Sequence, residues 1–98
     1  MSISQKEVET GLKNKSIILV DVRTEEEYKT GKIPGSVNIP LQDIETLFSK
    51  KFPNKDKKYV LYCRSGSRSR TAMIYLKLKG YKDVLNFGGI SKWSGKLE

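Results

Sequence analysis

Lys58-Tyr59-Val60-Leu61-Tyr62-Cys63-Arg64-Ser65-Gly66-Ser67-Arg68-Ser69-Arg70 changes character twice along its length. An apolar strand pattern, Tyr59 to Tyr62, runs into a small polar loop and straight on into a helical pattern. That order places Cys63 at the carboxyl end of a strand and at the mouth of a helix. In open α/β sheets ligands bind at this edge. A helix start adds unpaired N–H groups and a positive dipole end, both of which attract anions. Gly66 lets the loop curl without steric penalty, so several N–H groups can point inward as a nest around the sulfur.

A free thiol is only about 3% thiolate at neutral pH. Lowering its pKa by ~2 units makes thiolate the majority form, a stabilisation of roughly 2.7 kcal/mol. The helix dipole, the loop amides and Arg64 or Arg68 are the candidate sources. The competing reading makes Cys63 a buried, inert small hydrophobe at a strand end. The small residues and arginines that follow it suit a polar cradle better than a core.

With 98 residues, the chain is long enough for one domain with a modest core and too short for two. No apolar run approaches membrane-spanning length, and Met1 to Glu7 lack the build of a secretory signal, so a cytoplasmic protein is expected. The single cysteine forbids an internal disulfide and fits a reducing compartment. The absence of histidine excludes a Cys-His dyad, a histidine general base and nearly every zinc site. No metal or cofactor is therefore expected. A net charge of +8 favours small anions or acidic partners. Lys50 to Lys58 has little aromatic interleaving and reads as a solvated loop, so neither nucleic acid nor membrane is an expected partner.

Outward from this stretch, strands and helices alternate. Ser4 with Glu7 makes a capping box, and Ile3 with Val8 a hydrophobic staple, for a short helix ending near Gly11. Ser16 to Val22 is a continuous apolar run, the pattern of a strand covered on both faces. Asp21 and Arg23 sit at its carboxyl end, where an ion pair bracing the site from behind is expected. Thr24 with Glu27 forms a second capping box, for a brief helix stopping at Gly31. Pro34-Gly35 is a turn, and Val37 to Ile39 a short strand closed by Pro40. Leu41, Ile44, Leu47 and Phe48 recur at helical spacing and are taken as core. The helix after Cys63, about Ser69 to Lys79, is apolar around most of its girth. Lys82 to Phe87 reads as a last strand that Gly88-Gly89 breaks, and Ile90 to Trp93 as a helical turn. The terminal Leu97-Glu98 is set aside as a cloning remnant. The pattern predicts an α/β domain over residues 1–98: an open, mostly parallel sheet with helices on both faces.

Four motifs in order carry a resemblance: Asp21-Val22-Arg23 with Glu27-Tyr28; Gly31-Lys32-Ile33-Pro34-Gly35-Ser36-Val37-Asn38-Ile39-Pro40; Tyr62-Cys63-Arg64-Ser65-Gly66-Ser67-Arg68-Ser69; and Gly80-Tyr81 with Gly88-Gly89 and Trp93. Over nearly its whole length the chain resembles a single-domain rhodanese-like sulfurtransferase. The resemblance implies a sheet of about five strands, Cys63 as the sulfur-carrying catalytic residue, and Arg64, Ser65, Gly66, Ser67 and Arg68 as the substrate-binding cradle. Lys32 stands where the family usually has histidine, a departure that leaves the thiol chemistry intact.

The implied reaction moves a sulfane sulfur from a small anionic donor, thiosulfate or a persulfide, through a Cys63 persulfide to cyanide or a thiol. Arg64 and Arg68 would hold the donor's anionic oxygens, and Asp21 and Arg23 would support the site. Two rivals stand beside it. A phosphatase of the same fold resembles the chain but has five residues between cysteine and arginine, whereas Cys63 and Arg68 have four between them. A persulfide carrier or interaction module serving a sulfur-relay partner protein has the same sequence features as the enzyme.

Overall fold

The computed structural model describes residues 2–98. Four parallel strands, β1 (Ile17–Asp21), β2 (Val37–Asn38), β3 (Lys58–Cys63) and β4 (Asp83–Gly89), form one sheet in the order β2-β1-β3-β4. The helices are α1 (Gln5–Lys13), α2 (Glu25–Thr30), α3 (Ile44–Lys51) and α4 (Ser67–Leu78), with 3-10 turns at Leu41–Asp43 and Ile90–Lys92. No helix among the described residues is long and apolar enough to cross a membrane.

Alternation along the buried strands divides the core between the two faces of the sheet. Val20, Tyr59, Leu61, Cys63 and Val84 face one way and pack with Ile44 and Phe48 of α3 and Ala72, Met73 and Leu76 of α4. Ile17, Leu19, Val60, Tyr62 and Phe87 face the other way, onto Val8 of α1 and Ile33. Both capping boxes are formed, Ser4 with Glu7 and Thr24 with Glu27. Ile3 packs against the cluster that holds Val8.

Several expectations are corrected. The sheet has four strands where the resemblance implied about five; beyond them Ser2 makes one isolated parallel bridge to Asn86 of β4. The last strand does not break at its glycines. Leu61 pairs with Asn86 and Tyr62 with Gly88, so Phe87 is the extra residue of a bulge and Gly88-Gly89 continue the strand beyond it. Helix α4 begins two residues before the expected start, with Gly66 as its N-cap, and is apolar on fewer sides: Ile74 and Leu78 are exposed. Leu47, taken as core, is 45% exposed, because the chain turns through a 3-10 segment before α3 and the helical phase shifts. Glu98, set aside with Leu97, exchanges two backbone hydrogen bonds with Lys32.

Tyr62, fully buried beside Cys63, ties β3 to the turn before β2. Its hydroxyl accepts from the Ile33 amide at 3.1 Å and shares a 3.0 Å hydrogen bond with Ser36 Oγ. Tyr62→Phe leaves the buried Ile33 N–H without its partner, an expected loss of about 1–3 kcal/mol in urea unfolding. An unchanged midpoint would show that the turn re-pairs itself.

Candidate active site

Strand β3 ends at Cys63, whose neighbour across the sheet is Gly89. Three loop residues follow before α4 begins. Gly66 has φ +100°, a left-handed conformation that reverses the chain so that the first amides of α4 turn back toward the strand end. The Gly66 amide donates to Cys63 Sγ at 3.0 Å, and the amide and hydroxyl of Ser69 both lie 3.4 Å from it. Burial pushes the Cys63 thiol up. Hydrogen bonds from the Ser69 hydroxyl and the amides of Ser69, Gly66 and Ser65 outweigh that effect, and the thiol lies below its ordinary value. Donors converging on one sulfur favour its thiolate form.

Close approach explains the glycines opposite the loop. A Cβ at Gly89 would sit 2.5 Å from the Arg64 carbonyl oxygen, and one at Gly66 would sit 3.3 Å from the Gly88 Cα. Gly66→Ala combines that contact with a conformation costing an L-residue about 1–2 kcal/mol. Its expected result is lower stability together with slower iodoacetamide alkylation of Cys63 at pH 7. Alkylation at the wild-type rate would show that the Gly66 turn does not set the thiol.

The structure distributes the remaining expected site residues unequally. Arg64, Ser65 and Ser67 form an exposed rim, on which the Ser65 and Ser67 hydroxyls lie 3.4 Å apart. Arg68, expected to hold a donor's anionic oxygens, is also paired with a carboxylate. Its Nη1 and Nη2 donate to the two carboxylate oxygens of Glu27 at 2.7 and 2.9 Å. The Arg68 guanidinium, followed by the Thr24 amide, pulls the Glu27 carboxyl down to about 2. Glu27 thus caps α2 and clamps the first turn of α4 to it. Because the folded value is depressed, the stability this pair contributes is fully present above the usual carboxylate range. It is lost as pH falls through about 2. Comparing Glu27→Gln with wild type, the difference in Tm should be constant above pH 5 and shrink toward pH 2. A difference that already vanishes by pH 4 would contradict the depressed carboxyl.

Asp21 and Arg23 form the expected ion pair at 2.7 Å, with side chains 0% and 7% exposed. The pair lies directly behind the site, since Asp21 is in register with Tyr62. Arg23 also donates to the Gly31 carbonyl at 2.6 Å, and its guanidinium stands 5.8 Å from the centre of the Tyr62 ring. Asn38 Nδ2 donates to the carbonyls of Asp21 and Arg23.

Two residues that build the cradle lie outside the expected set. Ser69 was placed at the start of a helix that in fact begins earlier, so its amide and hydroxyl belong to the cradle. Asn86 comes from β4. Its Oδ1 accepts from Ser69 Oγ at 2.7 Å and from the Gly88 amide at 2.9 Å, and its Nδ2 donates to the Gly66 carbonyl at 3.2 Å. Serine at the third helical position is a readable signal, because that amide has no partner inside the helix. Nothing local to Asn86 announces its role.

A parallel α/β domain with a cysteine seated among the amides at a helix mouth defines a class of thiol-dependent proteins. Comparison with known proteins narrows it: the Rhodanese-like domain family matches residues 4–96, and the chain belongs to that family. A "Sulfurtransferase" of Allochromatium vinosum is 42% identical over 94 residues, spanning 95% of this chain and 82% of that protein. "Thiosulfate sulfurtransferase PspE" of Escherichia coli is 34% identical over 71 residues, spanning 72% of this chain and 68% of the relative. Among solved structures, the human single-domain sulfurtransferase TSTD1 superposes with a TM-score of 0.83 at 27% identity, covering 94% of this chain and 93% of that one.

Proposed function

We propose that the chain is a thiosulfate sulfurtransferase working through a Cys63 persulfide. The observation that carries this reading is the pair of amides aimed at Sγ, those of Gly66 and Ser69, with the Ser69 hydroxyl within reach beside them. Such a cradle stabilises a negative sulfur without an imidazole.

In the first step the Cys63 thiolate attacks the outer sulfur of thiosulfate. A new S–S bond forms, the donor's own S–S bond breaks, and its electron pair leaves with sulfite. Cys63 then carries one added sulfur, whose charge is held by the amides of the loop from Arg64 to Ser67. In the second step cyanide or a thiolate attacks that added sulfur, takes it, and returns the electron pair to Sγ. No external oxidant or reductant is needed.

The residues divide the work. Arg64, exposed on the rim, attracts the dianion and holds its oxygens. Arg68, fixed by Glu27, has three of its five N–H groups left and adds positive charge beside the sulfur. The buried Asp21–Arg23 pair holds the strand ends behind the loop.

Intact mass after mixing with thiosulfate tests the first step. A gain of about one sulfur atom, ~32 Da, reversed by cyanide, is expected of this covalent half-reaction. No gain at any thiosulfate concentration would end the reading. Loading with a single stoichiometric release and no steady turnover would reassign the chain as a carrier.

A further inference from the structure

We propose that Asn86, a residue of β4 outside the Cys63 loop, is a positioning residue that sets how readily Cys63 ionises. This deepens the sulfur-transfer reading and rests on it for its functional meaning.

The orientation of the Asn86 amide is dictated by two backbone groups that have no choice of role. The Gly88 N–H can only donate, so Oδ1 faces it at 2.9 Å; the Gly66 carbonyl can only accept, so Nδ2 faces it at 3.2 Å. The side chain therefore bridges the bulge in β4 to the turn that caps α4. Holding the Gly66 carbonyl fixes the peptide that follows Gly66, and with it the left-handed conformation that aims the Gly66 N–H at Sγ. The Arg70 amide grips the same carbonyl from the helix side at 3.1 Å. Asn86 is its only side-chain amide partner among the described residues. Among the described residues, Asn86 is the one seen to reach from β4 to this turn by a side-chain hydrogen bond.

Asn86 also engages Ser69. The Ser69 hydroxyl has one proton and three acceptors within reach: Asn86 Oδ1 at 2.7 Å, the Gly66 carbonyl at 3.1 Å and Sγ at 3.4 Å. Anchoring that hydroxyl holds the first turn of α4, and so the Ser69 amide, against the sulfur. The charged groups near Cys63 come from elsewhere: Asp21 and Arg23 from the end of β1, Arg68 from α4 with Glu27 from α2, and Arg64 from the loop. Tyr62 lies next to it in β3 and is held neutral by burial. Strand β4 presents only the neutral Asn86, Gly88 and Gly89, so a change at Asn86 alters the cradle's geometry and leaves its charge alone.

Alkylation by iodoacetamide as a function of pH reads the thiol directly, and thermal unfolding reads stability beside it. Removing Asn86 has two effects on the sulfur, because it frees the Ser69 proton as well as the loop. The deciding comparison is therefore Ser69→Ala against Ser69→Ala with Asn86→Ala, where the hydroxyl is gone from both. Loss of Asn86 is expected to raise the alkylation midpoint by about one pH unit, which is roughly a tenfold slower reaction below both midpoints. Asn86→Leu, which keeps asparagine's branching at Cγ but ends in two bulkier methyl groups, should give the same rise in that background if the alanine variant does not fold. A midpoint that stays put or falls, even with a lower Tm, overturns the proposal and leaves Asn86 a structural residue only. Sulfur loading of the wild-type protein from thiosulfate, followed by mass, reports separately on the sulfur-transfer reading.

Discussion

Cys63→Ser is expected to abolish sulfur loading. The variant should show no mass gain with thiosulfate and a loss of turnover of roughly 10³-fold or more, the scale on which removing a covalent nucleophile acts. The physical reason is the ionisation of the acceptor atom. The cradle supplies hydrogen bonds from Gly66, Ser69 and Ser65, enough to bring a thiol below its ordinary value despite burial. A serine hydroxyl starts far higher, and the same donors cannot bring it within reach of neutral pH. Fold and stability should change little, since one chalcogen replaces another at a residue 0% exposed. Loading retained in this variant would assign the sulfur-carrying role to another group.

Asp21→Ala should have the largest effect on stability. It leaves the Arg23 guanidinium buried with its charge uncompensated, a situation that costs about 3–5 kcal/mol. For a domain of this size that corresponds to a fall in Tm on the order of tens of degrees. The loss is amplified locally, because one carboxylate receives both the Arg23 amide and its side chain. The complementary experiment pairs Asp21→Ala with Arg23→Met. Removing both charges should recover part of the loss, because the double variant buries no unpaired ion. A double variant no better than the single would mean that packing, not charge, is what Asp21 supplies.

The ends of β1 and β3 could be read from local composition. A continuous apolar run closed by Asp21 and another closed by Cys63 specify buried parallel strands, because only a two-sided core accommodates them. The helix starts at Ser4 and Thr24 were equally plain, since a capping box writes both of its partners within four residues. Contacts made across the fold carry no such local mark. The pairing of Arg68 with Glu27 could not be read locally, because the two lie 41 positions apart. Asn86 looked like an ordinary strand residue because the turn it holds belongs to another element. Gly88-Gly89 read as a breaker, whereas the structure uses the missing side chain of Gly89 to admit the Arg64 carbonyl. A four-strand sheet with one residual bridge at Ser2 depends on tertiary pairing, which the alternation of strands and helices leaves open.

That single bridge leaves the outer flank of β4 without a partner strand among the described residues, and beyond Asn86 the Phe87 carbonyl is taken by Lys92 Nζ and the Gly88 amide by Asn86 Oδ1. From Asp83 the ladder runs straight only as far as Asn86, then kinks at Phe87. A second molecule laid alongside would find a flat template four residues long, too short to hold an intermolecular ribbon. The same kink that carries two glycines under the Cys63 loop therefore also shortens the straight border that a second copy could pair with.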